Sequence, residues 1–139
     1  GIRIKKMFDS FVSRNAQGVC FNYYQGEAKR VLTVCSAACL RSPTAAVVLN
    51  QEYCYNTKAA GVSLEYAIVP VTGRLLMWSQ EIVVMENWQA HEIIGMLEIM
   101  HITRPVICLN IDDNYCYMQP ELVSLIKQRY DQQVPTDKS

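Results

Sequence analysis

The sequence predicts an α+β fold: a single, mostly antiparallel sheet of about five to six strands, with an N-terminal helix and two C-terminal helices packed on it. Three observations carry that expectation. Short β-rich runs separated by turn residues recur along the first 85 residues. Two later stretches have helical spacing and helix-start residues. Hydrophobic residues make up 50% of the 139-residue chain and charged residues 19%, which supports one core and excludes a disordered chain.

The elements follow in order. Ile4, Phe8, Phe11 and Val12 share one face of a short amphipathic helix over 3–14, ended by the turn residues 15–18. Residues 19–24 and 29–35 read as a hairpin around Gly26, and residues 36–40 as a helical turn broken by Ser42-Pro43. Residues 44–50 are apolar on both faces and read as a central strand. Residues 62–71 alternate, Thr72-Gly73 supplies a turn, and residues 74–85 return as a long strand. Asn87 caps a helix to about His101, and Thr103-Arg104-Pro105 stops it. Residues 106–111 form another apolar strand, and Pro120 opens a last helix whose stripe is Leu122, Leu125, Ile126 and Tyr130. With no linker in sight, residues 1–133 read as one domain and 134–139 as a frayed polar tail.

Composition narrows the function classes. The longest apolar candidate for a membrane span, Leu75 to Met85, is interrupted by Ser79, Gln80 and Glu81, and falls short of the roughly 18 residues required. The first six residues show no signal-like stretch. Cys20, Cys35, Cys54 and Cys108 sit in apolar or β-rich runs, where a reduced thiol behaves as a small hydrophobe. The expectation is therefore an intracellular protein, cytoplasmic or nuclear, with reduced cysteines. Net charge is zero, although residues 1–41 carry seven basic and two acidic side chains and the remainder six and eleven. The basic residues come from different elements, so scattered solvation accounts for them better than a nucleic-acid patch.

Candidate chemistry is sparse. His91-Glu92-Ile93-Ile94-Gly95 opens like a zinc-protease helix, but Gly95 stands where the second histidine is needed, and His101 is too far along the helix. Cys35 and Cys39 have zinc-ligand spacing without a matching second pair. A thiol nucleophile at Cys54 or Cys116 needs His91 or His101 as base, and nothing in the sequence joins them. Asp112 and Asp113 follow one apolar strand and Glu52 follows another, where open α/β sheets put ligands. Those carboxylates would suit a divalent metal such as magnesium; a polar turn is the plainer account of Asp-Asp-Asn. The glycines are dispersed, so no phosphate-binding Gly loop is present. Residues 43–55 and 105–117 echo each other, both running from proline through Leu-Asn to Tyr-Cys-Tyr, and chance is the simpler explanation.

The helix over 87–101 has a broad apolar arc formed by Ala90, Ile93, Ile94, Met96, Leu97 and Met100. With the low charge and six methionines, this favours a non-enzymatic protein–protein interaction domain, a subunit or adaptor in a complex. It would meet a protein partner or a second copy through Trp78, Trp88, Met96, Met100, Tyr53, Tyr55, Tyr115 and Tyr117, with no cofactor, no metal and no membrane. The alternatives are an enzyme centred on Asp112, Asp113 and Glu52, and a single-stranded nucleic-acid binder using Lys29, Arg30 and the tyrosines.

Overall fold

The computed structural model describes residues 28–36, 41–63, 67 and 69–134. The expected helix over 3–14, the strand over 19–24, most of the turn at 36–40 and the tail beyond Val134 lie outside the described residues.

The elements are β1 (Arg30–Cys35), α1 (Arg41–Tyr53), β2 (Asn56–Gly61), α2 (Gly73–Trp78), β3 (Glu81–Val84), α3 (Asn87–Met100), β4 (Val106–Cys108) and α4 (Pro120–Gln133). The strands form one sheet in the order β2-β1-β3-β4, and every neighbouring pair is parallel. This corrects the expected mostly antiparallel sheet of about five to six strands. Among the described residues the protein is a doubly wound α/β fold with four parallel strands and four helices.

Two segments account for the error. Residues 44–50, expected as a central strand, lie in the middle of α1. An apolar run this short does not distinguish a buried strand from a buried helix. The helix prevails because Pro43 falls in its first turn, where its missing N–H does no harm, and because α1 is buried widely, with Ser42, Thr44, Ala45, Ala46, Val48 and Leu49 all enclosed. The second segment is Thr72 to Met85, expected as a hairpin turn and a long strand. Thr72 instead caps α2, its Oγ1 accepting from the Leu75 N–H at 3.2 Å. The Ser79 N–H closes that helix on the Leu75 carbonyl, so only four residues remain for β3.

The strand pleat divides the core in two. Val31 and Cys35 of β1, with Val83 and Met85, face α1 and α4, where Ala45, Val48, Leu49, Leu122, Ile126 and Tyr130 pack on them. Leu32 and Val34, with Ile82 and Val84, face Leu76 of α2 and Ile93 and Leu97 of α3. Both faces are therefore covered, as a parallel sheet requires. The broad apolar arc expected on α3 reduces to a buried stripe of Gln89, Ile93 and Leu97, while Ile94 and Ile99 are exposed. The echo between 43–55 and 105–117 is one of sequence only, since the first is largely α1 and the second is β4 and a loop. No helix among the described residues is long and apolar enough to cross a membrane.

Candidate active site

In a doubly wound sheet, ligands bind beyond the strand C-termini, at the point where successive connections leave in opposite directions. Here that point lies between β1 and β3, because β1 continues through α1 to β2 on one side while β3 lies on the other. The residue at the end of β1 is Cys35, 3% exposed, and α1 begins six positions later with Arg41, Ser42 and Pro43.

These groups converge at the switch point. The Cys35 Sγ lies 3.0 Å from the Ser42 Oγ. The Ser42 hydroxyl has a single proton, and its other acceptor, the Ala60 carbonyl, is 3.4 Å away. A thiol donates to Ser42 and leaves that proton for Ala60; a thiolate receives it. Thr33, one pleat earlier on the same face, donates from Oγ1 to the Ser42 carbonyl at 2.7 Å and ties the first turn of α1 to β1. The N–H groups of that first turn lack helical partners and favour negative charge.

Arg41 supplies a fixed positive charge. Its side chain is 2% exposed, and its Nη1 donates to the Glu86 Oε2 at 2.7 Å and to the Ile111 carbonyl at 2.7 Å. Its Nε lies 3.5 Å from the Asp113 Oδ1. A buried guanidinium demands such partners, and they aim it at the C-terminal edge of the sheet. Glu86 reaches it as the N-cap of α3, directly after β3, and Asp113 from the loop after β4. The Met118 N–H donates to the Thr44 Oγ1 at 2.9 Å, holding the same loop against α1.

The carboxylates expected to act together are divided. Asp113 joins Arg41, and Asp112 beside it is exposed. Glu52 pairs with Lys127 at 2.8 Å near the far end of α1, about 17 Å along the helix from Arg41. Among the described residues no three His, Cys, Asp or Glu side chains gather as a metal site. Cys54 and Cys116 are exposed, as are His91 and His101; Cys54 follows the end of α1, and His91 stands near the start of α3 at the other edge of the sheet. Cys39 lies outside the described residues.

The aromatic and methionine residues expected at an interface are distributed over several elements. Trp88, 46% exposed, stands in the first turn of α3. Trp78 is half-buried under the Lys58 ammonium, 4.8 Å from the ring centroid. Met96 and Met100 pack against the α2–α3 core and Tyr115 against the α1–α4 core, while Tyr117 is half-buried.

Tyr53 and Tyr55 belong to a cluster at the opposite, N-terminal edge of the sheet. Their rings stack at 5.4 Å, and Tyr53 lies 5.0 Å from Tyr130. Glu81, at the start of β3, accepts from Lys29 Nζ at 2.5 Å and from the Tyr130 hydroxyl at 2.6 Å. Burial, then the hydrogen bond to Glu81, hold the Tyr130 phenol protonated far above the usual tyrosine range. Burial and the hydrogen bond to Asp131 push Tyr53 the same way. Lys29 and Arg30, the cations of the nucleic-acid reading, are engaged inside the fold, since Arg30 Nε donates to the Trp78 carbonyl at 2.6 Å.

Comparison with known proteins agrees with the architecture. No protein-family model matches the sequence, and no curated relative matches it. Among solved structures, the chain is similar to the YwlE arginine phosphatase of Geobacillus stearothermophilus, with 18% identity and a TM-score of 0.55 over 79% of this chain and 95% of that one. It is also similar to YfkJ of Bacillus subtilis, with 16% identity and a TM-score of 0.57 over 83% of this chain and 99% of that one. The likeness establishes a shared fold. Against the expectation of a non-enzymatic adaptor or complex subunit stands the name of one of these neighbours, an arginine phosphatase.

Sequence reasoning missed Cys35, Arg41, Ser42 and Glu86. A signal was present: an apolar strand ending in cysteine, then small residues, then Arg-Ser-Pro opening a helix. It was hidden when Ser42-Pro43 was read as a break before a strand.

Proposed function

We propose that this protein is a phosphatase that uses Cys35 as a covalent nucleophile. The observation that carries the reading is the Cys35 sulfur held 3.0 Å from Ser42 in the first turn of α1, with the buried Arg41 guanidinium beside it in the chain. A helix N-terminus and an arginine suit a phosphate dianion, and a thiolate is the nucleophilic form of cysteine. The arginine phosphatase among the structural neighbours makes a phosphorylated side chain the substrate class to test.

The chemistry follows two displacements. The Cys35 thiolate attacks phosphorus and forms an S–P bond as the bond to the leaving oxygen or nitrogen breaks. Asp113, held 3.5 Å from Arg41 in the loop after β4, gives its proton to the leaving group. Water then attacks phosphorus and passes a proton to Asp113, the S–P bond breaks, and inorganic phosphate departs with the thiolate restored. Arg41 balances charge on the phosphoryl oxygens in both steps, and Glu86 fixes its position. Because a thiolate nucleophile must stay reduced, the same reading implies a cytoplasmic or nuclear home.

The test is phosphate release from p-nitrophenyl phosphate and from phosphoarginine, in the parent and in Cys35→Ser. Turnover of at least one substrate by the parent and none by the variant is expected. A parent inert on both, or a variant as active as the parent, removes the proposal.

A further inference from the structure

We propose that Gln89 is a positioning residue for the Cys35 nucleophile, acting through Ser36. Its kinetic consequence rests on the phosphatase reading; its geometry does not.

Gln89 heads the inward stripe of α3, and the next two members of that stripe are Ile93 and Leu97. A third apolar side chain would continue it, yet this position carries an amide that is 0% exposed. A buried amide is costly unless bonded. Its Oε1 accepts from the Met85 N–H at 2.9 Å and from the Glu86 N–H at 3.0 Å, which closes the junction between β3 and α3. That explains the oxygen. A glutamate in the third helical position would cap as well. What glutamine adds is an NH2 group, and its Nε2 is directed to the Ser36 Oγ at 3.4 Å.

Ser36 directly follows the nucleophile and is held from the other flank as well. Its carbonyl accepts from the Ser63 N–H at 2.9 Å, and the Cys35 carbonyl accepts from the Val62 N–H at 3.0 Å, both beyond the end of β2. The backbone therefore fastens the end of β1 on the β2 side, and Gln89 fastens its side chain on the β3 side. The same Oε1 that receives the Glu86 N–H also steadies the residue that holds Arg41. One buried amide thus relates the sulfur to the guanidinium across the switch point.

The experiment is a double-mutant cycle of Ser36→Ala and Gln89→Met in the full chain, with two readouts. The first is kcat and KM for p-nitrophenyl phosphate; the second is the rate at which iodoacetamide alkylates Cys35, read from its peptide mass. Ser36→Ala leaves the cap of α3 intact, so it separates the link from folding. Each single variant should lower kcat about tenfold with KM within about twofold, and the double should be no worse than Gln89→Met alone. Alkylation of Cys35, 3% exposed in the parent, should accelerate in both single variants. Parent values of kcat and alkylation in Ser36→Ala, or losses that multiply in the double variant, overturn the proposal. If the parent itself releases no phosphate, the phosphatase reading fails and the alkylation rates alone decide the link, an unchanged rate in Ser36→Ala refuting it.

Discussion

Replacing Tyr130 by Phe deletes one oxygen from a fully buried position and leaves the ring in place. That oxygen donates to the Glu81 Oε2 at 2.6 Å, and the residue is 0% exposed. No cavity larger than the oxygen forms, so the cost is a hydrogen bond to a buried carboxylate, about 1.5–3 kcal/mol. Lys29 still holds the other carboxylate oxygen at 2.5 Å, which keeps the loss below that of an unpaired buried charge. For a domain of this length the melting temperature should fall by about 5–10 °C. The effect also has a pH signature. The Tyr130 pKa is raised in the folded state, so the unfolded chain gives up that proton first, near pH 10. The stabilisation is fully present below about pH 10 and is lost as the pH rises above it, by about 1.4 kcal/mol per pH unit from this residue. Urea unfolding of parent and variant, followed by tryptophan fluorescence at pH 7 and from pH 9 to 11, measures both arms. A difference under about 0.5 kcal/mol at pH 7, within the range of ordinary surface substitutions, would refute the buried hydrogen bond as a stabilising element. Equally steep alkaline limbs would refute the linkage.

Other outcomes follow from the switch-point site. Asp113→Asn should lower kcat for aryl phosphates by about 10²–10⁴-fold, whereas Asp112→Asn, whose carboxylate forms no ion pair with Arg41, should stay near the parent; steady-state kinetics of the pair decides which carboxylate carries the proton. Glu86→Ala should cost about 1–2 kcal/mol in chemical denaturation and lower kcat, the figure being reduced from that of a fully buried pair because the Glu86 side chain is 34% exposed. Thr72→Ala removes the α2 cap and should cost about 1 kcal/mol with turnover unchanged, as a thermal melt beside a rate measurement would show.

Parts of this fold were legible in the sequence. The strand at Arg30–Cys35, the helix at Asn87–Met100 and the proline-led helix at Pro120–Gln133 fall where periodicity puts them, although the N-cap of α3 is Glu86 and not the expected Asn87. These elements carry a clear start signal or one dominant face. Residues 44–50 carry neither, because α1 is enclosed widely enough to erase its period. That one misreading propagated. With 44–50 as a strand, Glu52 stood at a strand end beside Asp113; with α1 as a helix, it stands at the opposite edge and binds Lys127. The place of Asp113, in the loop after an apolar strand, was legible because β4 was read as a strand. Cys35 was weighed only as a zinc ligand with Cys39, and thiol nucleophiles only against histidine, whereas the Cys35 sulfur here meets Ser42 in the first turn of α1.

The alternation of side chains along β1 has a consequence for how this chain can change. Cys35 shares a face with Val31 and Thr33, four and two positions earlier, and the residues between them face α2 and α3. Removing or adding a single residue within β1 would turn the sulfur to the other side of the sheet, away from Ser42. Beyond Ser63, whose N–H holds the Ser36 carbonyl, the connection to Gly73 lies outside that count and can vary in length without moving the nucleophile. Length variation among descendants of this sequence should therefore spare the six residues before the α1 loop and accumulate between β2 and α2.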